Sequence, residues 1–204
     1  MPDRKPRKDA ARNREAVFAA ADTLFAQCRS PEDVTMADIA AAAGVGKGTL
    51  FRAFGDRTGL IRALCEARLE PIRNAIEEGA PPLGPATPPL ERVPALLDAV
   101  LCFKIDNRHL ALALEGAGAG SPYSAEHYEH WHALLQGLLE QIPDRAEAGS
   151  GFTAHALLAA TRADLVAYLA GEKDVPREEL RDQLANFTAA VLGAGPRRGP
   201  AAEG

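Results

Sequence analysis

The stretch that decides the fold is VTMADIAAAAGVGKGTLFRAFGDR, residues 34–57. Its apolar residues return at helical intervals: Met36, Ile39, Ala40 and Ala43 in the first half, Leu50 and Phe54 in the second. Yet Gly44, Gly46, Gly48 and Gly55 crowd the same few positions, and a glycine inside a helix costs about 1 kcal/mol relative to alanine. The glycines are therefore read as punctuation. Thr35 and Asp38 resemble a capping box that opens a short helix. Gly44 ends it as a left-handed cap, AGV makes the turn, and Gly55 releases the chain before Asp56 caps the following helix.

Two helices joined in this way have the layout of a helix-turn-helix. Such motifs present the N-terminal part of their second helix to the major groove of DNA. Bulky side chains there would hold the backbone away from phosphates and base edges, so Gly46 and Gly48 permit close approach. Lys47, Thr49 and Arg52 then supply charge and hydrogen bonding, and Arg52 suits either a guanine or a phosphate. Leu50 and Phe54, four apart, face inward as core.

The rest of the chain agrees with a helical DNA-binding protein. Its 204 residues suffice for one or two small domains, and 47% hydrophobic with 25% charged residues is ordinary for a globular chain. The net charge of −5 hides a positive first third and a strongly negative remainder. Arg4, Lys5, Arg7, Lys8, Arg12 and Arg14 give the N-terminus a basic arm, a localised contact for a polyanion. No apolar run approaches the roughly 18 residues of a membrane span, and the charged N-terminus lacks the apolar segment of a secretory signal. Cys28, Cys65 and Cys102 are odd in number and far apart, without a CxxC, and read as reduced small hydrophobes of a cytoplasmic protein.

Strand signals are almost absent. Val17, Ala21, Leu24 and Cys28 repeat as a helix, as do Leu60, Ile61, Leu64, Cys65 and Leu69, where Pro71 is expected to kink the helix without ending it. Residues 79–94, with six prolines, give the strongest linker signal. Helices are then predicted from about Pro88–Pro94 onward, over the segment before GAGAG, over 124–142, over 151–171 as a single piece, and over 176–193. The expected fold is all-α with about nine helices: an N-terminal arm and helix-turn-helix domain over 1–55, a connecting helix over 56–78, a helical body over 79–195 and a disordered tail over 196–204.

The segment VTMADIAAAAGVGKGTLFRAFGDRTGLIRAL resembles the DNA-binding domain of the TetR family of bacterial transcriptional regulators. Thr35, Ile39, Ala40, Ala43, Gly44, Val45, Gly48, Thr49, Leu50, Phe54, Arg57 and Leu60 fit the family's pattern, and the resemblance covers about residues 10–70. It implies DNA-contact roles for Thr35, Gly46, Lys47, Gly48, Thr49, Phe51, Arg52 and Arg57. Three positions depart from the usual pattern. Phe51 replaces a tyrosine whose hydroxyl bonds a DNA phosphate, a loss of about 0.5–1.5 kcal/mol. Gly46 replaces a serine cap, at a few tenths of a kcal/mol. Arg57 stands for a lysine, which is expected to preserve a phosphate contact.

The resemblance further implies a C-terminal domain that dimerises and binds a small molecule, with binding altering the spacing of the two DNA-reading heads. Leu180, Leu184, Phe187 and Val191 form one candidate dimer stripe, and Leu157, Leu165, Tyr168 and Leu169 a second; each stripe could equally serve the chain's own core. Candidate pocket residues are Leu69, Phe103, Leu110, Leu114, Tyr128, Trp131 and Leu135, since ligand sites are mainly apolar. Glu115 would favour a cationic ligand if it faced the cavity; it could also face water. His127 and His130 share a helix face while His132 points elsewhere, and no HExxH or cysteine accompanies them, so no metal centre and no cofactor are expected. No GxSxG, P-loop or strand-borne GxGxxG is present, which argues against an enzyme. The partners expected are an operator DNA duplex, a second copy of the chain and a small effector of unknown identity, with no membrane. Repression is the commonest mode in the family. Activation, or an architectural role independent of any ligand, are the alternatives.

Overall fold

The capping box at Thr35 forms as its sequence implies. In a computed structural model, which describes residues 5–116, 123, 126–143 and 149–193, the Asp38 N–H donates to Thr35 Oγ1 at 3.2 Å and the Thr35 N–H to the Asp38 carboxylate at 3.1 Å. The Thr35 hydroxyl also donates to that carboxylate at 2.5 Å, and this bond first, with the Thr35 N–H second, holds the Asp38 carboxyl below its ordinary range. Helix α2 (Met36–Ala42) follows. Gly44, at φ +65°, closes it: the Val45 N–H reaches back to Ala40 O at 3.0 Å and the Gly44 N–H to Ala41 O at 3.2 Å. This Schellman arrangement satisfies carbonyls that the helix end would otherwise orphan. Helix α3 is Lys47–Phe54 and α1 is Lys5–Gln27, longer than its apolar repeat implied.

The remaining helices are α4 (Arg57–Glu77), α5 (Pro89–Asp106), α6 (Arg108–Gly116), α7 (Glu126–Leu139), α8 (Ser150–Ala159), α9 (Ala163–Ala167) and α10 (Arg177–Val191). The architecture is all-helical, and among the described residues no strand occurs. Pro71 lies inside α4 without ending it. The proposed disordered tail, 196–204, and the arm residue Arg4 lie outside the described residues.

Two compact units divide the chain: Met1–Leu69 with His109–Ala117, and Glu70–Arg108 with Gly118–Gly204. The first unit's core joins Val17, Ala21 and Phe25 of α1, Ile39 and Ala40 of α2, Leu50 of α3, and Leu60, Ile61 and Leu64 of α4. Leu110 and Ala113 of α6 complete it. On α1 the buried stripe is Val17, Ala21 and Phe25, with Leu24 and Cys28 at its margin.

In the second unit, α5 packs against α7, α9 and α10, and α7 against α8. The proline-rich segment is a folded turn: Arg92 donates to Leu83 O at 2.7 Å and to Ile76 O at 2.6 Å, tying the turn to the end of α4. Arg181 grips Asp98 with two bonds of 2.7 and 2.9 Å, and Arg177 pairs with Asp106, so α10 is fastened to α5 by charge as well as by Leu180 and Leu184. The single helix predicted over 151–171 is broken. Thr161 turns its buried hydroxyl onto Leu158 O at 3.0 Å, and Arg162 is extended, with ψ 141°. A hydroxyl that bonds a nearby carbonyl competes with the helical ladder. Asp164, bonded by the Arg162 guanidinium, then sits in the first turn of α9, which runs on into a wide π-type turn over Tyr168–Glu172.

Candidate nucleic-acid interface

Helix α3 has one buried side and one bare side. Leu50 is 1% exposed and belongs to the core, while Phe54 packs at its margin against Phe18, ring centroids 5.8 Å apart. Lys47, Gly48, Thr49 and Arg52 are exposed, and Phe51 keeps 48% of its surface open. Anchoring through Leu50 and Phe54 turns the residues between them outward, as the 3.6-residue period requires. A Cβ at Gly48 would meet nothing within 4 Å, and one at Gly46 only Thr49 Oγ1 at 3.8 Å. The start of α3 is therefore a clear, uncrowded surface bearing one ammonium, one guanidinium and one hydroxyl, which is what close approach to a polyanionic backbone requires.

Thr35 is exposed at the start of α2, its side chain engaged in the cap. Arg57, expected to contact a phosphate, is engaged within the protein. Its Nε donates to Val34 O at 2.9 Å, its terminal nitrogen to Pro31 O at 2.5 Å, and its guanidinium lies 5.8 Å from the Phe25 ring centroid. It is turned inward as a brace between α4, α1 and the loop that delivers α2. Gly59 was not foreseen as essential: a Cβ there would lie 2.1 Å from Phe54 O, so only glycine lets α4 pass this close to the end of α3. The Gly59 N–H donates to Asp56 Oδ1 at 2.7 Å, so Asp56 caps the start of α4.

The effector candidates divide between the units. Leu69, Leu110, Leu114 and Glu115 fall in the first, Phe103, Tyr128, Trp131 and Leu135 in the second. Leu110 is core of the first unit, with Leu114 beside it and Glu115 half-buried. Phe103, Trp131 and Leu135 are buried. Of the dimer candidates, Leu157, Leu180 and Leu184 are buried within their own chain, Val191 is half-buried, and Leu165, Tyr168 and Phe187 are exposed.

Sequence reading missed His155 and His109. The His155 ring stacks on His132 at 3.9 Å between centroids and its Nδ1 is 2.6 Å from the Tyr128 hydroxyl. His132 Nε2 is 3.0 Å from Gly151 O; a carbonyl only accepts, so this nitrogen carries the proton. Burial and, secondly, the neighbouring His132 push the His155 pKa down. His109 Nδ1 likewise donates to Phe25 O at 2.8 Å, beside Cys28 Sγ at 3.4 Å. Their signal lay in tertiary proximity. Among the described residues no group of three or more metal-ligating side chains converges, and no helix is long and apolar enough to cross a membrane.

Residues 17–64 match the family of bacterial regulatory proteins designated tetR. Over 82 residues the chain is 39% identical to the HTH-type transcriptional repressor LfrR of Mycolicibacterium smegmatis, covering 40% of this chain and 42% of that one. The matched segment thus spans about two fifths of this curated relative. Over most of its length the chain shares its fold with solved structures. A TetR-like transcriptional regulator from Rhodococcus sp. RHA1 aligns with a TM-score of 0.63 and 22% identity, over 89% of this chain and 96% of that one. The LfrR regulator from Mycobacterium smegmatis, solved in complex with proflavine, aligns with a TM-score of 0.55 and 22% identity, over 90% and 96%.

Proposed function

We propose, from the match of residues 17–64 to the tetR family of bacterial regulatory proteins, that this chain is a ligand-responsive regulator of transcription, a repressor that grips a palindromic operator as a homodimer and lets go when a small molecule binds. The observation that carries the reading is the bare edge of α3, where Lys47, Thr49 and Arg52 surround two glycines above a fully buried Leu50. Phe51 stands on the same edge. Thr35 caps the supporting helix, and Arg57 positions it. The protein works in the cytoplasm, where its operator is.

A helix-turn-helix dimer reads half-sites about 34–36 Å apart. An effector that prefers the wrongly spaced state weakens DNA binding by its differential affinity for the two states, and by linkage DNA weakens the effector equally. The exposed Leu165, Tyr168 and Phe187 support a dimer surface on α9, the turn that follows it and α10. The buried aromatic residues Phe103 and Trp131 support an effector site in the helical body for an apolar molecule, and the flat cation proflavine in the LfrR structure makes cationic aromatics the first compounds to try.

The test is a selection from a randomised palindromic DNA library, followed by affinity measurement with Arg52→Ala. One enriched site and a loss of about tenfold or more support sequence-specific reading. Uniform binding to all duplexes, or an unchanged affinity in the variant, would assign the protein to architectural binding instead.

A further inference from the structure

Helices α1 and α3 leave a gap beside each other in the first unit. A cleft of about 480 Å3 opens there, floored by Val17, Leu50 and Phe54. Its sequence origin is plain: Ala10 on α1 and Ala53 on α3 line it, where larger side chains would meet and close it. The volume falls within the range of about 300–1,000 Å3 typical of small-molecule sites, and its apolar floor gains by being covered.

One charged group is poised at the rim. The Arg14 guanidinium lies 4.7 Å from the Phe18 ring centroid and 5.4 Å from that of Phe54. These ring contacts are made by the cation's charge and accept none of its N–H donors into a carboxylate or carbonyl, so the guanidinium can still serve an anion. Among the described residues Arg14 has no ion pair or hydrogen bond. Asp9 also lines the cleft and would accept a hydroxyl or amine; it balances the charge of Arg14 within the lining, so an anion is addressed by the guanidinium itself and not by a positive surround. A ring-sized apolar body with a single anionic group fits both the floor and the rim. Thr49 lines the same cleft, so an occupant touches a residue that faces DNA in the reading given above.

We propose that the α1–α3 cleft is a second effector site, lying in the DNA-reading head itself, which takes small anionic aromatic molecules and excludes DNA while it is filled. The exclusion rests on the DNA-binding reading; the site does not.

The probe is 8-anilinonaphthalene-1-sulfonate, with its neutral counterpart N-phenyl-1-naphthylamine, titrated into the full-length protein. Chemical-shift mapping is expected to move amides of residues 9–17 and 45–54. Ala10→Leu, which fills the gap from an exposed position, is expected to weaken the sulfonate at least about tenfold with an unchanged melting temperature. Ala53→Leu does the same from the other wall. Arg14→Met is expected to weaken the sulfonate about tenfold but the neutral counterpart less than about twofold. The saturated protein is expected to lose affinity for the selected duplex, and the Ala10→Leu protein to keep it. Shifts confined to the second unit, or Leu variants that bind the sulfonate undiminished, overturn the site. Shifts at the cleft with undiminished DNA affinity overturn the exclusion. Failure of any duplex to be enriched counts against the DNA reading alone, since mapping and the variants stand without DNA.

Discussion

Two residues carry most of what is distinctive in the reading head. Phe51 is half-exposed on α3, at the position where the tetR-family pattern that the chain resembles has a tyrosine, and in the proposed reading a hydroxyl there would meet a phosphate. Phe51→Tyr adds that hydroxyl on an open surface, so stability is expected to stay within about 0.5 kcal/mol while DNA affinity rises about two- to tenfold. Fluorescence anisotropy on the selected duplex checks this, and an unchanged affinity would mean the ring faces no phosphate. Arg57 makes the opposite case, a residue whose charge matters less than its shape. Its fork reaches Val34 O and Pro31 O together, which a lysine ammonium on a flexible stem does not reproduce. Arg57→Lys, conservative by charge, is expected to cost about 1–2 kcal/mol in urea unfolding. Sequence reading found Thr35 and Gly44 because each bonds a backbone or side-chain group three residues away, and Leu50 because its four-residue spacing from Phe54 marks one helix face. It did not find the role of Arg57, whose partners lie 23 and 26 residues away, or that of Gly59, whose neighbour belongs to another helix.

At the scale of elements, periodicity located the helices and missed the interruption between α8 and α9, because Thr161 and Arg162 fit an amphipathic repeat as well as they fit a break. The same limitation hid the α7–α8 cluster. His132 and His155 lie on different helices, yet their rings stack at 3.9 Å with the Tyr128 hydroxyl on one edge and Tyr123 against His155 and Tyr128. The folded state disfavours a proton on His155, so the unfolded chain binds more protons as pH falls below the ordinary histidine value of about 6.5. Stability rises with pH wherever the unfolded state holds the extra proton. Stability is therefore full above about pH 7 and declines as pH falls toward the depressed folded value, below which this contribution is flat. The depressed carboxyl of Asp38 acts in a separate, more acidic window, with its stabilisation lost as pH falls through the carboxylate range. Urea midpoints measured from about pH 7.5 to 5 are expected to drop in the parent and to drop less in His155→Gln. Equal slopes in the two proteins would show that His155 is not the group being titrated.

For the whole molecule, an apolar stripe announces burial without naming what it is buried against. Leu157, Leu180 and Leu184 look like Phe187 and Tyr168 in the sequence, but the first three are consumed by their own chain. The all-helical class and the helix-turn-helix were legible because each rests on local spacing. The effector candidates were not resolved, because Leu110 and Leu114 share the apolar character of Trp131 and Leu135 yet fall in a different unit. Phe187 is the residue on which the proposed dimer is best tested. It is 40% exposed on α10 and borders a hollow of about 160 Å3 lined by Leu101, Val166, Leu180 and Leu184. In a two-fold interface each copy offers the same surface to the other, so one charge placed there appears twice. Phe187→Glu would bury two like charges without partners, a cost of several kcal/mol, while the exposed position spares the monomer's core. The variant is expected to sediment as a folded monomer, to melt at a temperature independent of its concentration, and to lose the affinity gained from engaging two half-sites. Phe187→Leu, apolar at the same place, is expected to keep the parent's dimer, concentration-dependent melting and two-site affinity. A Phe187→Glu protein that still sediments as a dimer with parental DNA affinity would move the interface away from α10.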